Sequence, residues 1–300
     1  MPLDSANSFK RYIFDYIRYE VIPKDYNSSV VGASRYSVLN PFARFRRPLL
    51  VVAAARDFGV SNLEDVLPIA TAIELVHVAS LISDDVADNS HFRRGKPSCH
   101  VRFGKNVANL AEHYLVNRAY NILLNSEFSP SLNDKQRIAI SELAAKSGIR
   151  MTQGQGKDIK QSGLRTPKDI IKMYSEKSGA LIGLAIASGG IIGFAAPNDV
   201  EYLRQLGDCI GVSYQIFDDC SDAYSTKSET GKPSGQDTGK RTLLNLVGLE
   251  RAKELKYDED RRADELLDML SVEARNLRGA INSIRQEQNF DALITRKNRS

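Results

Sequence analysis

Residues Glu74–Pro97 read ELVHVASLISDDVADNSHFRRGKP. An apolar run with helical spacing leads to the acids Asp84, Asp85 and Asp88, and the bases Arg93, Arg94 and Lys96 follow within a few residues. On an α-helix Asp84 and Asp88 lie one turn apart on one face, so their carboxylates can converge on a hard divalent cation, which prefers oxygen ligands. Mg²⁺ is commonly held by a few carboxylates together with substrate phosphates, and the guanidinium fork fits phosphate oxygens. The stretch therefore predicts a metal-bound, phosphate-bearing ligand on a helical scaffold.

Upstream, Ser61–Glu64 (SNLE) has the form of a capping box, and Leu67, Ala70, Ile73, Val76 and Ala79 continue one helical face. These signals predict a helix from about residue 62 to about residue 87. Downstream, a second helix beginning near Asn198 carries Leu203, Leu206, Ile210, Tyr214 and Phe217 toward Asp218, Asp219 and Asp222, which repeat the DDxxD spacing. A single such cluster is most often a solvated face. Two, each ending an apolar helix and each followed by bases, favour metal binding. A bundle can set them face to face around an internal cavity, where cations would relieve their mutual repulsion.

The rest of the chain reads as helix. Thr166, Pro167 and Asp169 supply a cap, a first-turn proline and an acid near a helix N-terminus. Residues 178–196, SGALIGLAIASGGIIGFAA, carry no charge and contain the spacings Gly179/Gly183 and Gly189/Gly193. They read as a central helix buried on all sides rather than a membrane span. Weaker helical segments lie near 5–22, 33–58, 106–125, 133–155, 242–256 and 260–286, with no period-2 strand and no hairpin signal. The stretch from Thr226 to Arg241 is a polar loop of a length that is often functional. No linker or repeat divides the chain, which reads as one all-α domain over 1–300.

Composition agrees with a globular chain: 300 residues, 42% hydrophobic and 26% charged, a net charge of +4 and a mean hydropathy of −0.32. The mild basic excess suits small polyanions or an acidic membrane surface and is too small to argue for nucleic acid. Cys99, Cys209 and Cys220 form neither a disulfide framework nor a zinc spacing, and the N-terminus lacks a secretory pattern, so a cytoplasmic location is expected. His91, His100 and the tail bases Arg296, Lys297 and Arg299 read as surface groups.

The chain resembles the trans-isoprenyl diphosphate synthases over nearly its whole length, with wording nearest to the geranylgeranyl and longer-chain members. Asp84–Asp88 with Arg93, Arg94 and Gly95 is similar to the family's DDxxDxxxxRRG element, and Asp218–Asp222 preceded by Gln215 to its second aspartate motif. Between them Gly154, Gln155 and Asp158 match a GQxxD element, and Lys177 with Ser178 a Lys-Thr pair. Gly231, Lys232, Gly235, Asp237, Gly239 and Lys240 fit the loop after the second motif, and His77 stands where the family has a histidine.

The resemblance implies an all-α helical bundle around a deep central cavity. It implies condensation of isopentenyl diphosphate with an allylic diphosphate, and a product of twenty carbons or more. Asp84, Asp85, Asp88, Asp218, Asp219 and Asp222 would hold Mg²⁺, three ions with bound diphosphate. Arg93, Lys177 and Lys232 would clamp the allylic diphosphate, and Gln215 and Ser178 would face the cation formed on ionisation. Ala79 and Ser80, small and just before the first acids, would leave the product cavity open. Isopentenyl diphosphate would be bound by His77, Arg94 and a GGKxxR segment. Here that segment reads Asn40-Pro41-Phe42-Ala43-Arg44-Phe45-Arg46-Arg47. Counting back from Pro48 assigns Arg44 and Arg47 to the binding positions, and counting forward from Tyr36 assigns Ala43 and Arg46; Arg44 and Arg47 are the expected pair, because Arg can replace Lys as a phosphate ligand. A homodimer and peripheral membrane contact during product release are further expectations. Two rivals remain: a class I terpene cyclase or lyase on the same fold, and a non-catalytic subunit of a heteromeric synthase.

Overall fold

A computed structural model describes residues 6–25, 27–224 and 241–290. The described chain is helical apart from one short ribbon, in agreement with the all-α expectation. It divides into two compact units, the first built from residues up to Leu49 with Asn62–Arg137, the second from Leu50–Ser61 with Ile138 onward.

In the first unit, α1 (Ala6–Tyr16) passes through a π-helical turn, Ile17–Val21, and α2 (Ser29–Val38) follows. The opening turn of α3 (Arg46–Asp57) precedes α4 (Leu67–Ala87), the ribbon β1 (Phe92–Arg93) and β2 (Lys96–Pro97), α5 (Cys99–Phe103) and α6 (Lys105–Leu124). Helix α4 packs on α6, with Ile69, Ile73 and Leu75 of the one and Leu115 and Ile122 of the other fully buried, and α2 packs on both helices. Its start departs from the capping-box expectation. Asn62, not Ser61, accepts from the Glu64 N–H (3.2 Å) and caps a 3-10 turn, Leu63–Asp65, and the α-helix begins beyond it. Pro68 explains the break, since it has no N–H to donate to a preceding turn and suits the first turn of a new helix.

The ribbon corrects the reading that the chain holds no hairpin. Phe92 pairs with Pro97 and Arg93 with Lys96, and Arg94 (φ 51°) and Gly95 (φ 72°) form the turn. Two successive left-handed residues match the right-handed twist of a two-residue hairpin. With only two residues on each side, no alternating pattern exists for a sequence reading to detect.

In the second unit, α7 (Asp134–Lys160), α8 (Pro167–Tyr174), a π-helical turn Ser175–Gly179, α9 (Ala180–Ile192) and α10 (Pro197–Tyr224) lead to α11 (Leu243–Val247), α12 (Leu249–Asp268) and α13 (Arg275–Gln286). The capping box at Thr166 and Asp169 forms as expected. Helix α9 is buried almost throughout, with a length of 13 residues. Its glycines let other backbones touch it: a Cβ on Gly207 of α10 would lie 2.1 Å from the Gly183 N, and one on Gly189 would lie 2.3 Å from the Val51 O of α3. Length and apolarity sufficient to cross a bilayer belong instead to α4, whose most apolar window is 67% buried inside the protein. Buried core helices meet the same criterion.

Candidate active site

Helix α4 and the ribbon carry the first aspartate motif. Val76, His77, Ser80, Asp84 and Asp88 fall on one stripe of α4 and its C-cap, and all are at least partly open to solvent. Ala79, expected on the product wall beside Ser80, faces inward and is 1% exposed. The three acids divide accordingly. Asp84 and Asp88 share the open stripe, whereas Asp85, about 100° further round the helix, is 3% exposed and accepts from Arg93 Nε (2.9 Å) and Nη2. Arg93 Nη2 also lies 3.8 Å from Asp84, so the ribbon arginine ties the motif together.

The next residue turns the other way. The left-handed turn at Arg94 brings its Nη2 to 3.4 Å from His77 Nε2. The His77 pKa is held well below its ordinary value by burial and by the positive charges of Arg47, Arg94, Arg93 and Arg46, so the ring is neutral. Tyr36 OH donates to the Pro97 carbonyl (2.7 Å) and pins β2 to α2. The ribbon borders a small cleft lined by Asn40, Ile82, Asp85, Arg93, Arg94 and Cys99, among others.

The segment that departs from GGKxxR holds its shape without glycine. Asn40 and Pro41 start a turn closed by Ala43 N–H to Asn40 O (2.9 Å), and the Asn40 side chain accepts from the Phe42 N–H (3.0 Å). Asn and Pro are suited to these two positions. The left-handed residue of the segment is Phe45 (φ 48°), buried at 2% exposure, so neither Phe42 nor Ala43 stands where a positive φ is needed. Arg47, Arg46 and Arg94 bear on His77, Arg44 is exposed, and Ala43 is fully buried.

The second unit repeats the pattern at α10. Asp218 is exposed and Asp222 partly so, while the middle acid Asp219 is 7% exposed and held from two sides. Tyr174 OH donates to Asp219 Oδ2 and accepts from the Leu243 N–H (3.0 Å), and Gln215 Nε2 donates to Asp219 Oδ1 (3.1 Å). Gln215 Oε1 in turn accepts from Ser178 Oγ (2.9 Å). Ser178 and Lys177 lie on the π-helical turn, which positions Lys177 Nζ 2.6 Å from Asp158 Oδ2. Gly154 permits this approach, because a Cβ there would be 2.4 Å from the Lys177 N. Gln155 is half-buried one residue on. Lys232 and its glycine-rich neighbours, and the tail bases, lie outside the described residues.

Three groups escape a reading of the sequence. Tyr174 is separated from Asp219 by 45 positions, and the capped helix ending three residues before Lys177 was its sole signal. Glu74 sits in the apolar part of α4 yet is 1% exposed, and His100, expected on the surface, is 7% exposed.

The donor set fits Mg²⁺. Each unit offers carboxylate oxygens one helical turn apart, and no three His, Cys, Asp or Glu side chains converge as a ready cage among the described residues. Mg²⁺ favours such sparse sites, where phosphate oxygens and water complete the octahedron.

Comparison with known proteins follows the same lines. Residues 32–282 match the polyprenyl synthetase family. The farnesyl diphosphate synthase of Escherichia coli is 36% identical over 264 residues, covering 83% of this chain and 87% of that protein. The geranylgeranyl diphosphate synthase of Pantoea ananas is 33% identical, covering 76% of each. Among solved structures, an FPP/GFPP synthase from Zymomonas mobilis superposes with a TM-score of 0.76 at 29% identity, over 93% of this chain and 95% of that one. A geranyltransferase from Helicobacter pylori, crystallised with magnesium and isoprenyl diphosphate, gives a TM-score of 0.82 at 22% identity over 95% and 98% and so speaks for the fold. With its paired aspartate motifs, its RRG turn and a family match running through both units, the chain belongs to the polyprenyl synthetase family, the trans-isoprenyl diphosphate synthases.

Proposed function

We propose that this chain condenses isopentenyl diphosphate with an allylic diphosphate to give a product of fifteen or twenty carbons, with release of diphosphate. One observation carries the reading: in both aspartate motifs the middle acid is buried and tied by hydrogen bonds, while the first and third face outward. Such a division suits carboxylates that meet a metal and a diphosphate. Farnesyl and geranylgeranyl synthases among the relatives support fifteen or twenty carbons, the upper of which meets the sequence reading of twenty or more. The open stripe of α4 bears Val76 and Ser80 and no aromatic side chain that would stop growth earlier.

Asp84 and Asp88, with Asp218 and Asp222, would hold Mg²⁺, three ions in the full complex, with Asp85 and Asp219 fixing their neighbours. Mg²⁺ bound there supplies the positive charge that makes diphosphate a competent leaving group. Arg93 and Lys177 add fixed charge to the same group, and charge aimed where the leaving group becomes negative lowers the barrier without reorganisation. The carbonyl oxygen of Gln215 and the hydroxyl of Ser178, joined in one hydrogen bond, present lone pairs toward an allylic cation. Arg47 and Arg94, with neutral His77 as a hydrogen-bonding partner, bind the diphosphate of isopentenyl diphosphate, and Arg46 adds charge to that pocket. The carbon–carbon bond forms as the double bond attacks C1, and the proton then lost passes to the released diphosphate.

The reading includes one functional domain over 1–300, supported by a single family match that crosses both units. It includes a homodimer, peripheral membrane contact during product release and a cytoplasmic location, the last supported by three buried free cysteines. Incubation with Mg²⁺, labelled isopentenyl diphosphate and each allylic diphosphate tests it. Label is expected in a fifteen- or twenty-carbon diphosphate. Diphosphate release without label incorporation would instead identify a cyclase or lyase, and no turnover of any pair would identify a non-catalytic subunit.

A further inference from the structure

Glu74 lies on α4 one turn before His77 and is 1% exposed. Neither of its carboxylate oxygens has a hydrogen-bond partner among the described residues, nor has His77 Nδ1. A buried carboxylate with no donor is costly, and the same fold has found donors for the buried acids Asp85 and Asp219. The charged groups that bear on this pair come from two elements. Arg47 and Arg94 act on Glu74, and these two with Arg46 and Arg93 act on His77. The charges of Arg47 and Arg94 are therefore shared between a buried acid and the pocket assigned above to a diphosphate.

We infer that Glu74 is the exchangeable counter-charge of the isopentenyl diphosphate pocket: it balances Arg47 and Arg94 while the pocket is empty and takes a proton from solvent when a diphosphate occupies it. The inference rests on the pocket assignment made under the proposed function. An arriving diphosphate draws both guanidinium groups to itself and sets a second negative charge close to Glu74, and both changes favour the protonated acid. Burial pushes the Glu74 pKa up to about 7 even against the pull of Arg94 and Arg47, so little further change is needed for uptake near neutral pH. Glu74 is thus a positioning residue. Its negative charge limits how much net positive charge the empty pocket carries, and so limits how tightly the pocket retains inorganic diphosphate.

Calorimetric titration of the full chain with isopentenyl diphosphate, in buffers of different ionisation enthalpy, counts the protons taken up. At about pH 7.5 the wild type is expected to take up about half a proton or more beyond Glu74→Gln, and the difference should vanish at about pH 5.5, where Glu74 is already protonated. The ligand's own protonation is common to both proteins and cancels. Glu74→Asp keeps an ionisable group and should keep the excess uptake, which guards against a misfolded Gln variant. Normal binding with equal uptake in wild type and Glu74→Gln overturns the inference and leaves the pocket assignment standing. Binding unaffected by Arg47→Ala and Arg94→Ala overturns the assignment itself.

Discussion

The phenol of Tyr174, at the end of α8, donates to the Asp219 carboxylate on α10 and accepts the Leu243 N–H that opens α11. One buried hydroxyl thereby links the second aspartate motif to α11. The Tyr174 pKa is raised by burial and by Asp219, so the phenol remains the donor. Tyr174→Phe removes both bonds and leaves Asp219 and Leu243 each short of a partner. Turnover is expected to require several-fold more Mg²⁺, and urea titration should show a loss of about 2 kcal/mol. Unchanged Mg²⁺ dependence would show that Gln215 alone orients Asp219.

Outward and inward acids are expected to fail differently. Asp84→Ala and Asp218→Ala should each lower turnover by about two orders of magnitude or more with helical content and melting temperature nearly unchanged. Asp85→Asn weakens the hold on Arg93 and should cost about 2 kcal/mol of stability as well as activity. Rates from labelled substrate and melting curves by circular dichroism separate the two classes. Near-native turnover in both outward variants would refute the two-motif clamp.

Glu74 also predicts a pH dependence of stability. Its folded pKa is pushed up to about 7 from an ordinary value of 4.5, so between these values the native state binds the extra proton and stability falls as pH rises. The loss is complete above about pH 8 and amounts to about 3 kcal/mol. Glu74→Gln should flatten this part of the melting-temperature profile while leaving the acid limb below about pH 4 in place. Parallel profiles for the two proteins would show that the carboxyl is solvated in solution.

Gly154→Ala tests the π-helical turn. The added methyl would meet the Lys177 N at 2.4 Å and Glu176 backbone at 2.8 Å, both backbone atoms that cannot swing aside. A stability loss of about 1–3 kcal/mol is expected, together with a raised KM for the allylic diphosphate, because the turn carries Lys177 and Ser178. A raised KM without destabilisation would show that the turn can shift bodily.

Much of the site is legible in the sequence. The DDxxD spacings, the RRG turn, His77 and the Lys177–Ser178 pair all announce themselves because each is local, held in a few consecutive residues of one helix or turn. What escaped was long-range or shape-dependent. Phe42 and Ala43 stand at the two glycine positions, after a turn that Asn40 and Pro41 start and the Asn40 side chain supports, which a comparison of residue types alone reads as a loss. Pro68 moved the start of α4 past the expected cap, and the four-residue ribbon had no period to detect.

The sequence by itself determined the all-α class, the family and the order of the chemical groups, since helical period and motif spacing follow from bonds between near neighbours. Tertiary structure alone decided which members of each acid triplet are exposed and which is buried. Asp84, Asp85 and Asp88 are equivalent as letters, yet packing against the ribbon buries one and leaves two outward, and Tyr174 does the same for Asp219 from 45 residues away. Burial is a property of what lies across from a residue, and the identity of that partner is fixed only when distant segments pack.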